Sequence, residues 1–144
     1  PSAGQAVSWA FASPRGQLVT SEAMLGRATV LLFVTTFDPA SQVVAEHVDS
    51  LLRSHRPRAN GLVVVLEAAK YATLAEVYGQ SLDLTMPVVL AGEDSLGGEG
   101  PFGKIGRVPT TFILDAKGRV IWTQEGLVTP RQVAHALELA ERGE

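Results

Sequence analysis

The stretch PTTFILDAKGRV, residues 109–120, decides the fold of this chain. Residues 110–115 are mostly β-branched or apolar, which is typical of a buried strand. A turn over residues 116–118 separates them from residues 119–124, where a second strand is predicted. The stretch therefore predicts a β-hairpin that begins directly after a proline.

Five more strands are predicted before this hairpin. Residues 29–35 form an apolar run without polar alternation, which is typical of a central strand covered on both faces. Residues 62–66 and 86–90 predict two further strands. Residues 7–11 and 17–20 are separated by a Ser-Pro-Arg-Gly turn and predict an N-terminal hairpin.

Two helices have clear starts. Residues 39–56 repeat apolar side chains at helical spacing, and Asp38 followed by Pro39 is a favoured N-cap sequence. Near the C-terminus, Thr129 can cap a helix, and Gln132 can complete a capping box with it. The residues of this last helix that we expect to face inward are Val133, Leu137 and Ala140.

The middle of the chain has weaker patterns. Residues 70–78 predict a helix whose apolar stripe is Leu74, Val77 and Tyr78, with Gly79 as its C-terminal stop. The glycine-rich residues 92–106 predict a loop, and one short helical turn is expected in it near residues 102–105.

The order of elements predicts an α/β fold with an N-terminal β-hairpin, in which a mixed central β-sheet is flanked by helices on both faces. A chain of 144 residues has the size of a single domain, so we expect one domain over residues 1–144.

The composition excludes several classes of function. The net charge is −3, and the one basic cluster, residues 53–58, is interpreted as a solvated helix end, so no nucleic-acid partner is expected. No apolar run approaches the roughly 18 residues of a membrane span. Cysteine is absent, which excludes disulfides, cysteine nucleophiles and thiolate metal ligands. His47, His55 and His135 are too scattered to predict a metal site, and no cofactor motif is found.

Four stretches of the chain, taken together, resemble thiol–disulfide oxidoreductases of the TlpA/ResA type, a thioredoxin-like family related to the AhpC/TSA redoxins. Residues 109–120 closely match the family's Pro-Thr-Thr-Phe-Leu-Ile-Asp-x-x-Gly-x-Ile, and residues 33–41 (FVTTFDPAS) match its Phe-Trp-Ala-Thr-Trp-Cys-Pro-Pro-Cys in shape. The N-terminal turn and the Gly26-Arg27 pair are similar as well. The resemblance covers nearly the whole chain and implies a thioredoxin-like fold with a cis peptide bond before Pro109.

The chain departs from the family at its active site, where Asp38 and Ser41 stand in place of both cysteines. Thiol exchange needs a thiolate that attacks a disulfide and a second thiol that resolves the mixed disulfide. Neither a carboxylate nor a serine hydroxyl performs these steps, so no catalytic residue is expected. A peroxiredoxin is not expected either, because Asp38 replaces the peroxidatic cysteine and Leu31 an expected proline.

Two further residues concern proton transfer. Leu32 lies near the position where some relatives place a buried acid, and Glu67 is the nearest candidate for such an acid, or else an ordinary carboxylate at a strand end. Asp38 is expected to cap its helix, with or without an additional contact to a partner.

Two main functions follow from the resemblance. The first is a redox-inactive domain that binds a protein or extended polypeptide non-covalently in the former active-site groove. The binding residues implied are Phe37, Asp38, Pro39, Ala40, Ser41, Val108, Pro109 and Thr110. The alternative is an active oxidoreductase, with cysteine at position 41 in the natural protein or a thiol supplied by a partner. A third hypothesis is a structural module that docks through residues 92–106. The resemblance also suggests a bacterial periplasm or cell envelope.

Overall fold

A computed structural model describes residues 6–142, which contain a seven-stranded mixed sheet. The strands are β1 (Ala10–Ala12), β2 (Leu18–Thr20), β3 (Thr29–Val34), β4 (Asn60–Val65), β5 (Val88–Leu90), β6 (Thr110–Leu114) and β7 (Val120–Glu125). The helices are α1 (Ser21–Met24), α2 (Pro39–Ser54), α3 (Ala72–Ser81), α4 (Glu93–Leu96) and α5 (Pro130–Glu141). A 3₁₀ turn, Ala69–Tyr71, leads into α3.

β3 is an interior strand of the sheet, between β4 and β6. The strand order is β2-β1-β5-β4-β3-β6-β7, with β3 parallel to β4 and antiparallel to β6. Every residue of β3 is buried, which explains its apolar sequence without alternation. The predicted hairpin of β6 and β7 is confirmed, with an irregularity in the register after Ile113.

The three long helices pack on one face of the sheet. Val30, Leu32 and Val34 of β3 point to this face and join one buried cluster. The helical residues buried in that cluster are Val44, Ala45, Val48, Ala75, Tyr78, Val133, Ala136, Leu137 and Ala140. The three inward residues predicted for α5 are therefore confirmed.

The other face of the sheet carries an aromatic cluster. Phe33 lies at its centre, and its ring centroid is 6.1 Å from that of Phe11, 5.6 Å from that of Phe102 and 5.5 Å from that of Phe112. All three pairs are edge-to-face, a favoured aromatic geometry. Met24 of α1 also packs against this cluster.

The prediction for α3 is wrong in its end and in part of its apolar stripe, although Tyr78 is buried as predicted. The helix continues through Gly79 to Ser81, and Leu74 and Val77 are 38% and 48% exposed. Gly79 is needed inside the helix because α3 packs closely on β5: a Cβ there would lie 2.9 Å from Cγ2 of Val88. The left-handed residue that follows the helix is Asp83, whose φ is 54°.

The helical turn expected in the glycine-rich loop is also misplaced. It is α4, whereas residues 102–105 are not helical. Phe102 and Ile105 instead pack against the aromatic cluster. They fix the end of this loop to the sheet just before β6 begins. In the N-terminal hairpin, β1 starts at Ala10 rather than at Val7.

The turn between β6 and β7 is held by Asp115, which is 3% exposed. Its Oδ1 accepts hydrogen bonds from the N–H groups of Lys117 (2.9 Å) and Arg119 (3.0 Å), and its Oδ2 accepts one from Nε of Arg119 at 2.7 Å. Burial alone would raise the pKa of Asp115, but these hydrogen bonds and the charge of Arg119 outweigh it and lower the pKa below its ordinary value.

Asp115 should make the protein sensitive to acid. A carboxyl group with a lowered folded-state pKa contributes stability that is fully present above its unfolded pKa of about 3.9 and is lost as pH falls through the folded pKa. Urea unfolding at a series of pH values should therefore show a steep loss of unfolding free energy below about pH 4. Asp115→Asn should be less stable at neutral pH and show a shallower loss. Glu125→Gln is the control, because it removes the same charge from the exposed end of β7. Equal slopes in all three proteins would contradict this role.

Candidate functional site

Residues 33–41 and residues 109–120, on which the fold prediction rested, meet at one end of strands β3 and β6. Phe33 near the end of β3 pairs with Thr110 at the start of β6. The chain therefore leaves β3 through residues 35–38 beside the point where it enters β6 through residues 107–109. After β3 the chain continues to β4, which lies on one side of β3 in the sheet, while β6 lies on the other side of β3. In open α/β sheets, ligands bind in the crevice at such a change of strand order.

Asp38 and Ser41 are hydrogen-bonded to each other at the start of α2. The Oδ2 atom of Asp38 accepts from the N–H of Ser41 at 3.1 Å and from its hydroxyl at 2.8 Å. Asp38 has an extended backbone, and Pro39 is the first residue of the helix. The predicted N-cap is thus confirmed, and its carboxylate lies at the positive end of the helix dipole.

The geometry of this pair limits its chemistry. Ser41 has no exposed surface, so its hydroxyl cannot reach a substrate as a nucleophile. Asp38 is half-buried, and Pro39 is exposed beside it. The two positions at which the resembled family carries thiols therefore form a closed, internally bonded unit.

Glu67 holds the loop that precedes α2. Its Oε1 accepts hydrogen bonds from the N–H of Thr36 at 2.8 Å and from the hydroxyl of Thr36 at 2.6 Å. Leu32 is fully buried among apolar side chains. The interpretation of Glu67 as a structural strand-end carboxylate is therefore the one that the geometry favours, and it fixes the backbone next to Phe37.

The peptide bond between Val108 and Pro109 is cis, the geometry that the resemblance implies. The carbonyl groups on either side of Val108 are in use: Thr110 Oγ1 donates to the C=O of Arg107, and the N–H of Gly126 donates to the C=O of Pro109 at 2.7 Å. Among the hydrogen bonds of residues 6–142, none uses the backbone N–H or C=O of Val108. This half-buried residue thus presents a free donor and a free acceptor.

The sequence analysis missed two residues at this end of the sheet, Leu127 and Arg107. Phe37, which was predicted, is 77% exposed, and Leu127 beyond β7 is 61% exposed. Arg107 is exposed, and its guanidinium lies beside Gly126, where a Cβ would be 3.9 Å from Cζ. The position of Arg107 directly before the Val-Pro motif is a signal that could have identified it.

Tyr78 lies beneath the start of α2. Its hydroxyl is buried and has no hydrogen-bond partner among the described residues. Burial first, and then the negative charges of Asp38 and Glu46, raise the pKa of Tyr78. The hydroxyl therefore stays protonated at neutral pH and does not act as a base at the site.

Other kinds of site find little support within residues 6–142. Among the side chains that the structure describes, no group of three or more His, Asp or Glu is placed to hold a metal ion. No helix in the same part of the chain is long and apolar enough to cross a membrane.

Solved structures of disulfide oxidoreductases resemble the chain over almost its whole length. StoA from Bacillus subtilis is 23% identical with a TM-score of 0.71, and the match covers 92% of this chain and 97% of StoA. A thioredoxin-family thiol:disulfide interchange protein from Chlorobium tepidum is 21% identical, with a TM-score of 0.72 and 94% of each chain covered. A secreted Mycobacterium tuberculosis disulfide oxidoreductase homologous to Escherichia coli DsbE is 10% identical, with a TM-score of 0.74 and coverage of 91% and 95%.

These likenesses show that the fold is thioredoxin-like, and the predicted fold class is confirmed. No protein-family model and no curated protein matches the chain. The fold is thus that of disulfide oxidoreductases, in a chain without cysteine.

The Asp38–Ser41 pair should stabilise the protein as a unit. Asp38→Ala removes the helix cap, at a cost of about 1 kcal/mol. It also leaves the buried hydroxyl of Ser41 without a partner, at a cost of ~1–3 kcal/mol. Ser41→Ala in the Asp38→Ala background should therefore recover part of the loss.

A double-mutant cycle measured by urea unfolding tests this coupling, with Asp38→Ser as the control that retains a capping oxygen. A coupling energy of about 1 kcal/mol is expected for directly bonded neighbours. Strict additivity of the two alanine variants would mean that the pair does not act as a unit.

Proposed function

We propose that this protein is a redox-inactive thioredoxin-like protein that binds an extended polypeptide non-covalently. The binding groove lies between the start of α2 and the loop before β6. Among the binding residues predicted from the resemblance, those proposed to contact the peptide are chiefly Phe37, Asp38 and Val108. Ser41, Pro109 and Thr110 are buried and support these contacts from within the protein. The free backbone groups of Val108 are the observation that carries this proposal.

The absence of thiol chemistry follows from the residues of the chain. There is no cysteine to form or resolve a mixed disulfide. The hydrogen bond between Ser41 and Asp38 closes the site, which also weighs against the alternative of an oxidoreductase completed from outside. A partner's thiol would meet a carboxylate and a buried hydroxyl there, and neither accepts electrons.

Backbone pairing provides the affinity in this proposal. An extended peptide that lies along Val108 can accept a hydrogen bond from its N–H and donate one to its C=O, as an added strand does. The neighbouring carbonyls are already bonded within the protein, so the peptide has a single defined register. The Thr36–Glu67 hydrogen bonds hold the opposite wall of the groove in place.

The side chains around the groove add specificity. Phe37 is 77% exposed and Leu127 is 61% exposed, so each offers an apolar surface that a peptide side chain can cover. Asp38 contributes a negative charge at the start of α2, and Arg107 contributes a positive charge on the other wall. The preferred peptide has an apolar residue flanked by polar or basic ones near Asp38.

We also propose that residues 1–144 form one domain and that the protein works outside the cytoplasm of a bacterium. The strands described within residues 6–142 form one sheet, which supports the proposal of a single domain. The similar Mycobacterium tuberculosis protein is secreted, which supports the second.

An NMR titration of ¹⁵N-labelled protein tests the groove. The probes are three short extended peptides of identical apolar pattern that carry Lys, Gln or Glu at the same flanking position. Amide shifts should cluster at Phe37, Asp38, Val108 and Thr110, and the Lys peptide should bind up to about fivefold more tightly than the Glu peptide, as one exposed ion pair allows. Asp38→Asn should remove that difference. The absence of shifts at Val108 and Thr110 would reject the groove, and indifference to charge would reject the role of Asp38.

A matched pair of variants distinguishes binding in the groove from non-specific apolar binding. Phe37→Ala should weaken peptide binding at least about fivefold, because truncating an anchoring aromatic costs more than ~1 kcal/mol. Leu18→Ala removes a similarly exposed apolar side chain from β2, at the far edge of the sheet. Affinity should stay unchanged in this control, and equal weakening in both variants would contradict a localised groove.

A further inference from the structure

A second concave site lies at the opposite end of strands β3 and β4 from the proposed groove. It is a cavity of about 440 Å³ formed where α2 ends and where β3 and β4 begin. Its apolar side is provided by side chains such as Leu52, Met86 and Pro87. A volume of this size is within the range of small-molecule sites.

Four arginines line this cavity: Arg27, Arg53, Arg56 and Arg58. They come from three parts of the chain, since Arg27 precedes β3, Arg53 belongs to α2, and Arg58 lies in the connection to β4. No Asp or Glu is among the lining residues. A protein with a net charge of −3 and only 12 Lys and Arg residues thus places four of them around one cavity.

Two of these arginines also serve the end of α2. Nη2 of Arg53 is 2.9 Å from Oδ2 of Asp49 and donates to the C=O of Asp83 at 2.7 Å. Nη1 of Arg56 donates to the carbonyls of Arg53 and His55 at 3.3 and 2.8 Å. The interpretation of this stretch as a helix end therefore accounts for Arg53 and Arg56.

It does not account for Arg27 and Arg58. Both side chains are exposed, and neither has a hydrogen bond or ion pair with any residue in the described range 6–142. Asp49 partly neutralises Arg53, and Glu141, which is paired with His55, lines a neighbouring cavity with Arg27 and Arg58. The excess of guanidinium groups around the cavity still produces a positive local potential, which attracts anions. Guanidinium groups bind phosphate oxygens in a bidentate manner.

The apolar side of the cavity is closely packed. Gly61 of β4 lies against Leu52 and Met86, and a Cβ there would be 2.8 Å from Sδ of Met86. Asp49 fixes the adjacent backbone, since its Oδ1 accepts from the N–H groups of Thr85 at 2.9 Å and Met86 at 2.8 Å. The cavity therefore has a shape that is set before any ligand arrives.

We propose that this cavity is a binding site for a phosphate ester. The phosphate group is held by Arg27 and Arg58 with Arg53 and Arg56 beside them, and the organic part lies on Leu52, Met86 and Pro87. A phosphate monoester carries a charge of about −1.5 to −2 at neutral pH and has three acceptor oxygens, so it can engage several guanidinium groups at once. A carboxylate offers only one bidentate edge. The site does not depend on the peptide groove.

Isothermal titration calorimetry with phenyl phosphate, inorganic phosphate and benzoate at low ionic strength tests the proposal. Phenyl phosphate should bind more tightly than inorganic phosphate, since it adds the apolar contact, and more tightly than benzoate, since it adds charge. Amide shifts should appear at Asn60 and Gly61 and not at Val108. Failure of phenyl phosphate to bind, or equal affinity for benzoate, would overturn the proposal.

The test variant is Arg27→Gln with Arg58→Gln, because neither side chain has a protein partner whose loss would disturb folding. The matched control is Lys104→Gln with Arg131→Gln, which makes the same change in net charge away from the cavity and likewise breaks no ion pair. The first variant should weaken phenyl phosphate binding about tenfold or more, or ~1.4 kcal/mol, and the control less than about twofold. Equal weakening in both would show a general charge effect and overturn the site.

The source of the phosphate is settled by a second arm of the experiment. Vesicles of phosphatidylcholine with phosphatidic acid present the same group at a membrane surface. Sedimentation of the protein with these vesicles, lost in the Arg27→Gln/Arg58→Gln variant, would support the site with a lipid headgroup as its ligand. Binding of phenyl phosphate without vesicle binding would support it with a soluble ester.

Discussion

The antiparallel pairing of β6 with the buried strand β3 is the constraint on which the site depends. Phe33 opposite Thr110 fixes where the chain leaves one strand and enters the other. Phe33 is also the centre of the aromatic cluster, and Phe102 anchors the preceding loop to that same cluster. The start of α2 and the loop at Pro109 are therefore placed side by side by packing on both faces of the sheet, whichever residues occupy the active-site positions.

Because the placement does not depend on these side chains, a site of this shape can exist without thiols. In the disulfide oxidoreductases that share the fold, thiol chemistry needs a thiolate at a helix N-terminus. Here the same helix end is capped by the carboxylate of Asp38, and Ser41 fills the second position with a hydrogen bond to it. Both residues satisfy the helix start and each other. The backbone beside this helix start, held by Glu67 at Thr36 and by Gly126 at Pro109, does not depend on a sulfur atom.

Much of the fold could be predicted from the sequence because strong local signals agreed with the tertiary structure. The uninterrupted apolar run of β3, the Asp38-Pro39 start of α2 and the capping box of Thr129 and Gln132 are all present. The prediction for α3 failed because Gly79 serves a close approach to Val88 of β5, a tertiary requirement that looks like a local stop signal. Phe102 was misassigned to a helical turn because its burial depends on partners distant in sequence.

The site was predicted less completely. The residues at the former cysteine positions followed from the family resemblance, and the N-cap role of Asp38 followed from helix preferences alone. The free backbone groups of Val108 could not be predicted, because they depend on which neighbouring carbonyls are already bonded. The cavity of four arginines was hidden for a similar reason: Arg27 is far from Arg53, Arg56 and Arg58 in the sequence and meets them only in the folded sheet.

The central claim is that Asp38 and Ser41 occupy the place of a dithiol in an otherwise intact site. The most direct measurement is thiol titration of the Asp38→Cys/Ser41→Cys variant before and after mild oxidation, with each single cysteine variant as a control. The side chains of Asp38 and Ser41 face each other at the start of α2, since Oδ2 of Asp38 accepts a hydrogen bond from the hydroxyl of Ser41. Cysteine side chains at these two positions would therefore face each other as well, as a disulfide requires. The account predicts an intramolecular disulfide in the folded monomer and a gain of dithiothreitol-dependent insulin reduction. Free thiols that persist after oxidation in a natively folded double variant would contradict it.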